Sequence, residues 1–209
     1  MSELEWDGRL DGDDEYCYRP ETTLIVLADT IAKKHGLDPC LICALCEVES
    51  SWNPWAVRHE AGYSSLIGFY SATDDRHRIW RDAKGQGWWS EINITPETRK
   101  YPWGCQPLIE LLMQQTSWGL MRIKGADARK LGFTGWLTEL CDPAVNLKWG
   151  CRHLRWMIDH NNAYGLPDFR IKPEDLAAAW NGGTRVVVDG KYKNQSYVDR
   201  VKAALVNYE

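Results

Sequence analysis

Cys40-Leu41-Ile42-Cys43-Ala44-Leu45-Cys46-Glu47-Val48-Glu49-Ser50-Ser51-Trp52-Asn53-Pro54 is the stretch on which the fold turns. Its first seven residues are all apolar, contain no Gly or Pro, and follow Asp38-Pro39. That pattern predicts a helix over 39–51 that is buried nearly all round. Asp38 is placed to cap it and Pro39 suits the first helical position. At helical spacing Glu49 lies over Leu45 and Ile42, four and seven residues back, with Cys46 three back. Burial of that kind disfavours a carboxylate and raises its pKa, which is what a general acid near neutral pH needs. A surface carboxylate at a frayed helix end is the other reading of the same local pattern. Glu47 sits over Cys43 and Cys40 on a different face and is the weaker candidate.

Outward from this helix, apolar periodicity predicts further helices at about 22–35, 106–115, 124–131, 143–161, 173–181 and 195–207. Asp142-Pro143 repeats the capped start, and Lys172-Pro173-Glu174-Asp175 gives an acidic first turn that suits the helix dipole. Strand signals are thin: Arg185-Val186-Val187-Val188, closed by Asp189-Gly190, reads as half of a small hairpin. Residues 57–105 are the least regular part, rich in Gly, Trp, Tyr and charge, with one short helix expected near 74–83. A segment of that length inside a helical domain reads as an elaborated binding loop. The fold class is therefore mainly α, with at most a small β-hairpin and a long aromatic-rich insertion.

Composition narrows the function classes. At 209 residues the chain is one domain, residues 22–209, preceded by an arm at 1–21. Residues 1–22 hold eight acids against Arg9 and Arg19. The net charge of −4 therefore leaves the remainder slightly basic. The arm reads as solvated, and no basic stripe suggests a nucleic-acid partner. No run of 18 apolar residues suggests a membrane span. No basic region followed by an apolar run opens the chain, so synthesis in the cytoplasm without a classical signal peptide is expected. A monomer is expected.

Seven cysteines include three spaced by three residues within one helix. That spacing superficially matches the opening of an iron–sulfur run, but a continuous helix cannot wrap thiolates around a cluster. Buried, reduced thiols are the better reading. Cys141 and Cys151, ten apart, leave a disulfide open. His59, His77, His153 and His160 have no Glu partner at zinc spacing and read as surface or core residues. No metal and no cofactor are expected. Twelve tryptophans are well beyond ordinary usage. Trp52, Trp55, Trp80, Trp88, Trp89, Trp103, Trp118, Trp136 and Trp180 fall mainly in polar or Gly-rich surroundings. As a set they suit a carbohydrate cleft, because flat rings stack on the apolar faces of sugars.

Three segments then line up: Glu49-Ser50-Ser51-Trp52-Asn53-Pro54-Trp55-Ala56, Ser117-Trp118-Gly119-Leu120-Met121-Arg122-Ile123, and Ala178-Ala179-Trp180-Asn181-Gly182-Gly183 with Tyr197-Val198 downstream. In that order the chain resembles the soluble-type lytic transglycosylases, whose lysozyme-like domain is related to goose-type lysozyme. His35-Gly36-Leu37-Asp38-Pro39 and Leu140-Cys141-Asp142-Pro143 with Asn146, Leu147 and Gly150 agree with it. The resemblance covers about residues 22–207. It implies a two-lobed, lysozyme-like helical domain that acts on peptidoglycan glycan strands in the cell wall. It places the catalytic acid on Glu49, with Trp52, Glu60, Ser117, Arg122, Trp180, Asn181 and Tyr197 as substrate-binding candidates. One carboxyl group suffices for the implied lyase reaction. Glu49 protonates the glycosidic oxygen while the substrate's N-acetyl carbonyl supports the oxocarbenium ion. Glu49 then takes the proton of the 6-hydroxyl, closing a 1,6-anhydro ring; this differs from the two-carboxylate glycosidases.

Three departures stand out. The family's Gly-Leu-Met-Gln carries Arg122 in place of Gln, a side chain suited to a lactyl or peptide carboxylate or to pairing with Glu49. The usual Tyr before Asn is Trp180, which keeps an aromatic wall and a donor but lacks a hydroxyl. Between Glu49 and Gly119 lie 69 residues, more than the compact family core uses. Within them Glu60 is either a substrate or water contact or a surface salt bridge. The expected context is a bacteriophage endolysin or virion-associated muralytic enzyme, which reaches the wall on release. A hydrolytic lysozyme or chitinase on the same fold, and a non-catalytic glycan-binding module, are the alternatives.

Overall fold

The computed structural model describes residues 22–60, 63, 66–67, 69–70, 90–91, 102, 104–160, 171–183, 187–188 and 191–209. The acidic arm, the helix expected near 74–83, and Trp80, Trp88, Trp89 and Trp103 lie outside them. Helix α1 spans Thr22–Lys34 and α2 spans Pro39–Ser50. The Asp38 carboxylate accepts from the Cys40 N–H at 2.9 Å and starts α2. Leu41, Ile42, Cys43, Ala44, Leu45 and Cys46 are all buried. No face of that segment is left for solvent, because α2 packs between α1 and the last helix, α7 (Gln195–Leu205).

The end of α2 is unusual. Ser51 and Trp52 both have positive φ, at 50° and 63°. Each such non-glycine residue costs roughly 1–3 kcal/mol and persists only where its surroundings over-determine it. Here Trp52 supplies the hold: it is 1% exposed. Its indole Nε1–H donates to the Tyr208 hydroxyl at 2.8 Å, which donates in turn to Glu47 Oε2 at 2.7 Å. Glu47 is thus tied to the chain's last turn, on the face of α2 away from Glu49.

Helices α3 (Pro107–Gln114), α4 (Gly125–Lys130), α5 (Pro143–Asp159) and α6 (Pro173–Gly182) complete the helical body, with a 3₁₀ turn at Leu137–Cys141. Asp142 caps α5 by accepting from the Val145 N–H at 2.9 Å. Every helix that the sequence predicts within the described residues is present, with ends displaced by two residues or fewer. Ala28 and Ala32 of α1, Leu147, Leu154 and Met157 of α5, Leu176 and Ala177 of α6, and Val198 and Val201 of α7 share one core with α2. Between α3 and α4 lies a fully buried ion pair. Arg129 meets Glu110 at 2.7 Å and 3.0 Å and also donates to the carbonyls of Phe133 and Gly135. Gln114 donates to Glu110 at 2.9 Å and bonds both the N–H and the carbonyl of Ile67.

Sheet content exceeds the single hairpin expected. The strands β1 (Val57–His59), β4 (Thr116–Trp118) and β5 (Ile123–Lys124) form a three-stranded antiparallel sheet. Two-stranded pairs join β2 (Phe69–Tyr70) to β3 (Ser90–Glu91), and β6 (Val187–Val188) to β7 (Lys191–Tyr192). The last pair contains the predicted Val-rich half-hairpin. The others are two or three residues long, too short for alternation to be read. Cys40, Cys43, Cys46, Cys105, Cys141 and Cys151 are free thiols. Cys141 and Cys151 are therefore not bridged. Burial pushes the Cys43 and Cys151 thiols up to about 12, so both act as small apolar side chains. No helix among the described residues is long and apolar enough to cross a membrane.

Candidate active site

Glu49 stands in the last turn of α2, half-buried, on the side facing the three-stranded sheet. Burial pushes its carboxyl above the usual carboxylate range. The negative end of the α2 dipole acts in the same direction. Opposing these are the Tyr197 hydroxyl and then the charges of Arg122, Lys124 and Arg58, which do not overcome the burial. The Tyr197 hydroxyl donates to Glu49 Oε1 at 2.7 Å. Tyr197 is itself 4% exposed on α7, so the phenol is fixed by packing rather than by chance contact.

A cavity of about 210 Å³ opens in front of Glu49. It is smaller than the roughly 300–1,000 Å³ of a pocket that encloses a whole ligand. Its walls come from three places. Glu60, Ser117 and Arg122 belong to or flank the sheet, Trp180 and Asn181 end α6, and Asp127 and His153 come from α4 and α5. The sheet register explains the first wall: Arg58 faces Ser117, and Ser117 faces Lys124, so the three stand in a row across the strands. Arg58 grips Glu60 at 2.6 and 2.8 Å. The Ser117 hydroxyl has the Arg58 carbonyl at 3.3 Å and Glu60 Oε1 at 3.4 Å as acceptors. It accepts from Arg122 Nη2 at 3.2 Å.

The turn between β4 and β5 aims Arg122. Gly119 has φ +68°, and a Cβ there would lie 2.3 Å from both Asn146 Nδ2 and the Leu140 carbonyl. The Arg122 N–H closes the turn on the Gly119 carbonyl at 3.0 Å, with Arg122 itself at φ 50°. Fully buried Asn146 pins the loop. Its Nδ2 donates to the Trp118 and Leu140 carbonyls, each at 2.7 Å, and its Oδ1 accepts from the Met121 N–H at 2.8 Å. Leu120 and Met121, wholly buried, turn inward so that Arg122 faces the cleft.

Residues 27–201 of this chain match the family model of the Transglycosylase SLT domain. The chain belongs to the transglycosylase SLT domain family. Membership makes it a glycosidic-bond-cleaving domain of the lytic transglycosylase kind, directed at peptidoglycan. No curated protein matches the chain.

Within this SLT domain the cavity gathers Glu49, Glu60, Ser117, Arg122, Trp180 and Asn181, six of the eight residues singled out in the sequence. Tyr197 lies directly behind Glu49 as its hydrogen-bond donor. Trp52 is not brought to the cleft; it is a core side chain bonded to Tyr208. Glu60 is held by Arg58 and Ser117 while still lining the cavity, so its salt bridge and its place in the cleft coexist. Trp180 packs its ring against His153, 5.5 Å between centroids. Of the other tryptophans, Trp55 and Trp136 are exposed and Trp118 is half-buried. Arg122 makes no ion pair with Glu49 within 4.0 Å; its charge pulls the Glu49 pKa down, while burial outweighs that pull.

Sequence reasoning missed Arg58, Lys124, Asp127 and His153 as cleft residues. Arg58 and Lys124 were signalled only by pairing across strands too short to read. In the sequence His153 reads as a surface or core residue; it is buried, yet it lines the cavity with Nε2 unpartnered. Burial holds its pKa below 6.5, so the ring is neutral at pH 7.

Proposed function

We propose that this SLT domain cleaves the β-1,4 bond between N-acetylmuramic acid and N-acetylglucosamine and leaves a 1,6-anhydro end. The observation that carries the proposal is the state of Glu49: a half-buried acid with a raised pKa, one oxygen of which accepts from Tyr197. With Oε1 taken, Oε2 carries the acidic proton to the glycosidic oxygen as the bond to C1 breaks. The N-acetyl carbonyl of the substrate supports the positive charge on C1. The Glu49 carboxylate, now stabilised by the Tyr197 hydroxyl, then accepts the 6-hydroxyl proton as O6 closes on C1. The other acids of the cavity are occupied. Glu60 is held by Arg58, and Asp127 accepts from the Tyr63 hydroxyl at 3.1 Å. Each is already engaged by a protein donor, and the one-acid route calls on neither of them.

Digestion of purified peptidoglycan followed by product masses tests this. Anhydro ends, one water lighter than reducing ends, are expected. Reducing ends would make the enzyme a hydrolase. Glu49→Gln is expected to lower turnover by roughly 10²–10⁴-fold, the range for loss of a general acid.

A further inference from the structure

We propose that Arg122, flanked by Arg58 and Lys124, forms a carboxylate-binding subsite in the Glu49 cleft and selects glycans that carry an anionic group on the muramoyl residue. The inference rests on the proposed reaction for its substrate and names the charge that the site reads.

A guanidinium offers five N–H donors in a planar fork. Arg122 uses one nitrogen, Nη2, on the neutral hydroxyl of Ser117. Its Nε is buried without a partner, and its side chain is only 16% exposed. Among the described residues the nearest carboxylate oxygen, Glu60 Oε1, is 4.0 Å away, beyond hydrogen-bond reach, and already grips Arg58. Nη1 has no partner among the described residues and is not one of the buried unpaired atoms. The guanidinium is thus largely withdrawn from water with Glu60 in ion-pair range, yet among the described residues no carboxylate hydrogen-bonds it. Burial and the neighbouring Arg58 charge press its pKa down against the opposing pull of Glu49 and Glu60.

A second cation stands on the same wall. Lys124 has no carboxylate within 4.0 Å among the described residues; its ammonium lies over the Tyr63 ring at 5.4 Å. The acids that line the same cavity are Glu49, Glu60 and Asp127, and none of them hydrogen-bonds Arg122. His153 stands beside them. A substrate carboxylate offered to the free edge of Arg122 makes charge-assisted hydrogen bonds with donors that no described side chain uses. A neutral chitin-like glycan supplies only hydroxyls and amide carbonyls. Two parts of peptidoglycan bear the required group: the lactyl ether when unsubstituted, and the stem peptide.

The test is binding to Glu49→Gln, which keeps the charge of the protonated acid and does not cleave. Three muramoyl–glucosamine oligomers are compared by titration calorimetry: free lactyl carboxylate, lactyl carboxamide, and peptide-substituted. An anionic form is expected to bind about tenfold more tightly than the carboxamide, the ratio of one charge-assisted bond at a half-open site. The ratio should shrink with added salt and fall to near one when Arg122→Gln is added. Preference for the lactyl form or for the peptidyl form alone identifies the source of the carboxylate. Equal affinity for all three overturns the proposal, as does a preference that survives Arg122→Gln. Because the first comparison needs no change at Arg122, misfolding of that variant cannot rescue it. If the wild type binds with the expected preference yet cleaves none of the three, the subsite stands and the transglycosylase reading falls.

Discussion

Two influences act on Glu49 in opposite directions, and their balance sets the pH range in which its carboxyl stays protonated. Burial favours the protonated form, whereas the Tyr197 hydroxyl and the three cations favour the carboxylate. Removing a donor to the carboxylate removes a stabiliser of the charged form, so the pKa of Glu49 must rise. Tyr197→Phe is therefore expected to move the alkaline limb of kcat/KM to higher pH, while kcat falls because Glu49 loses its positioning partner. A pH profile that keeps its limb, or moves it downward, would show that the hydroxyl does not act on the ionised acid. Arg122→Gln should shift the same limb in the same direction by loss of charge alone. The phenol was legible in the sequence as part of Tyr197-Val198, but its target was not. A chain separation of 148 residues leaves no local signal for the contact.

At the level of elements, legibility followed length and capping. Helices α2 and α5 declared themselves through Asp-Pro starts and long apolar runs, and their ends fell within two residues of expectation. The sheet stayed hidden because it is made by a turn rather than by strands. Leu120 and Met121 look like a buried segment of any kind, and only the Gly119 conformation and the Asn146 bonds convert them into a hairpin loop. Two cations of the cleft were hidden with it. Gly119→Ala tests the device. The left-handed backbone and the collision with Asn146 and Leu140 together are expected to cost about 2–4 kcal/mol in urea unfolding. A loss below about 0.5 kcal/mol would mean that the turn relaxes freely and does not fix the direction of Arg122.

Across the whole molecule, a buried ion pair ties together the same parts that a small second apolar cluster, Leu66, Cys105, Leu111 and Ala126, also joins. Arg129 and Glu110 connect α3 to α4, and Gln114 extends the network to Ile67 within the insertion. Both charges are almost wholly excluded from water, so removing one strands the other. Arg129→Met is expected to lower stability by about 3–5 kcal/mol, read by urea denaturation. By contrast, disruption of the exposed Arg155–Asp159 pair should cost less than about 1 kcal/mol. Equal losses from the two pairs would refute the claim that burial, not pairing, sets the magnitude. The same long-range wiring has a consequence in time. Glu49 receives its phenol from Tyr197, and the strained turn beside it is held through Tyr208. At about 5–20 residues per second, synthesis takes roughly 7–30 s to pass from the acid to its donor. During that interval a nascent chain holds the acid without the group that sets it in place. The site is assembled only once α7 has emerged and docked.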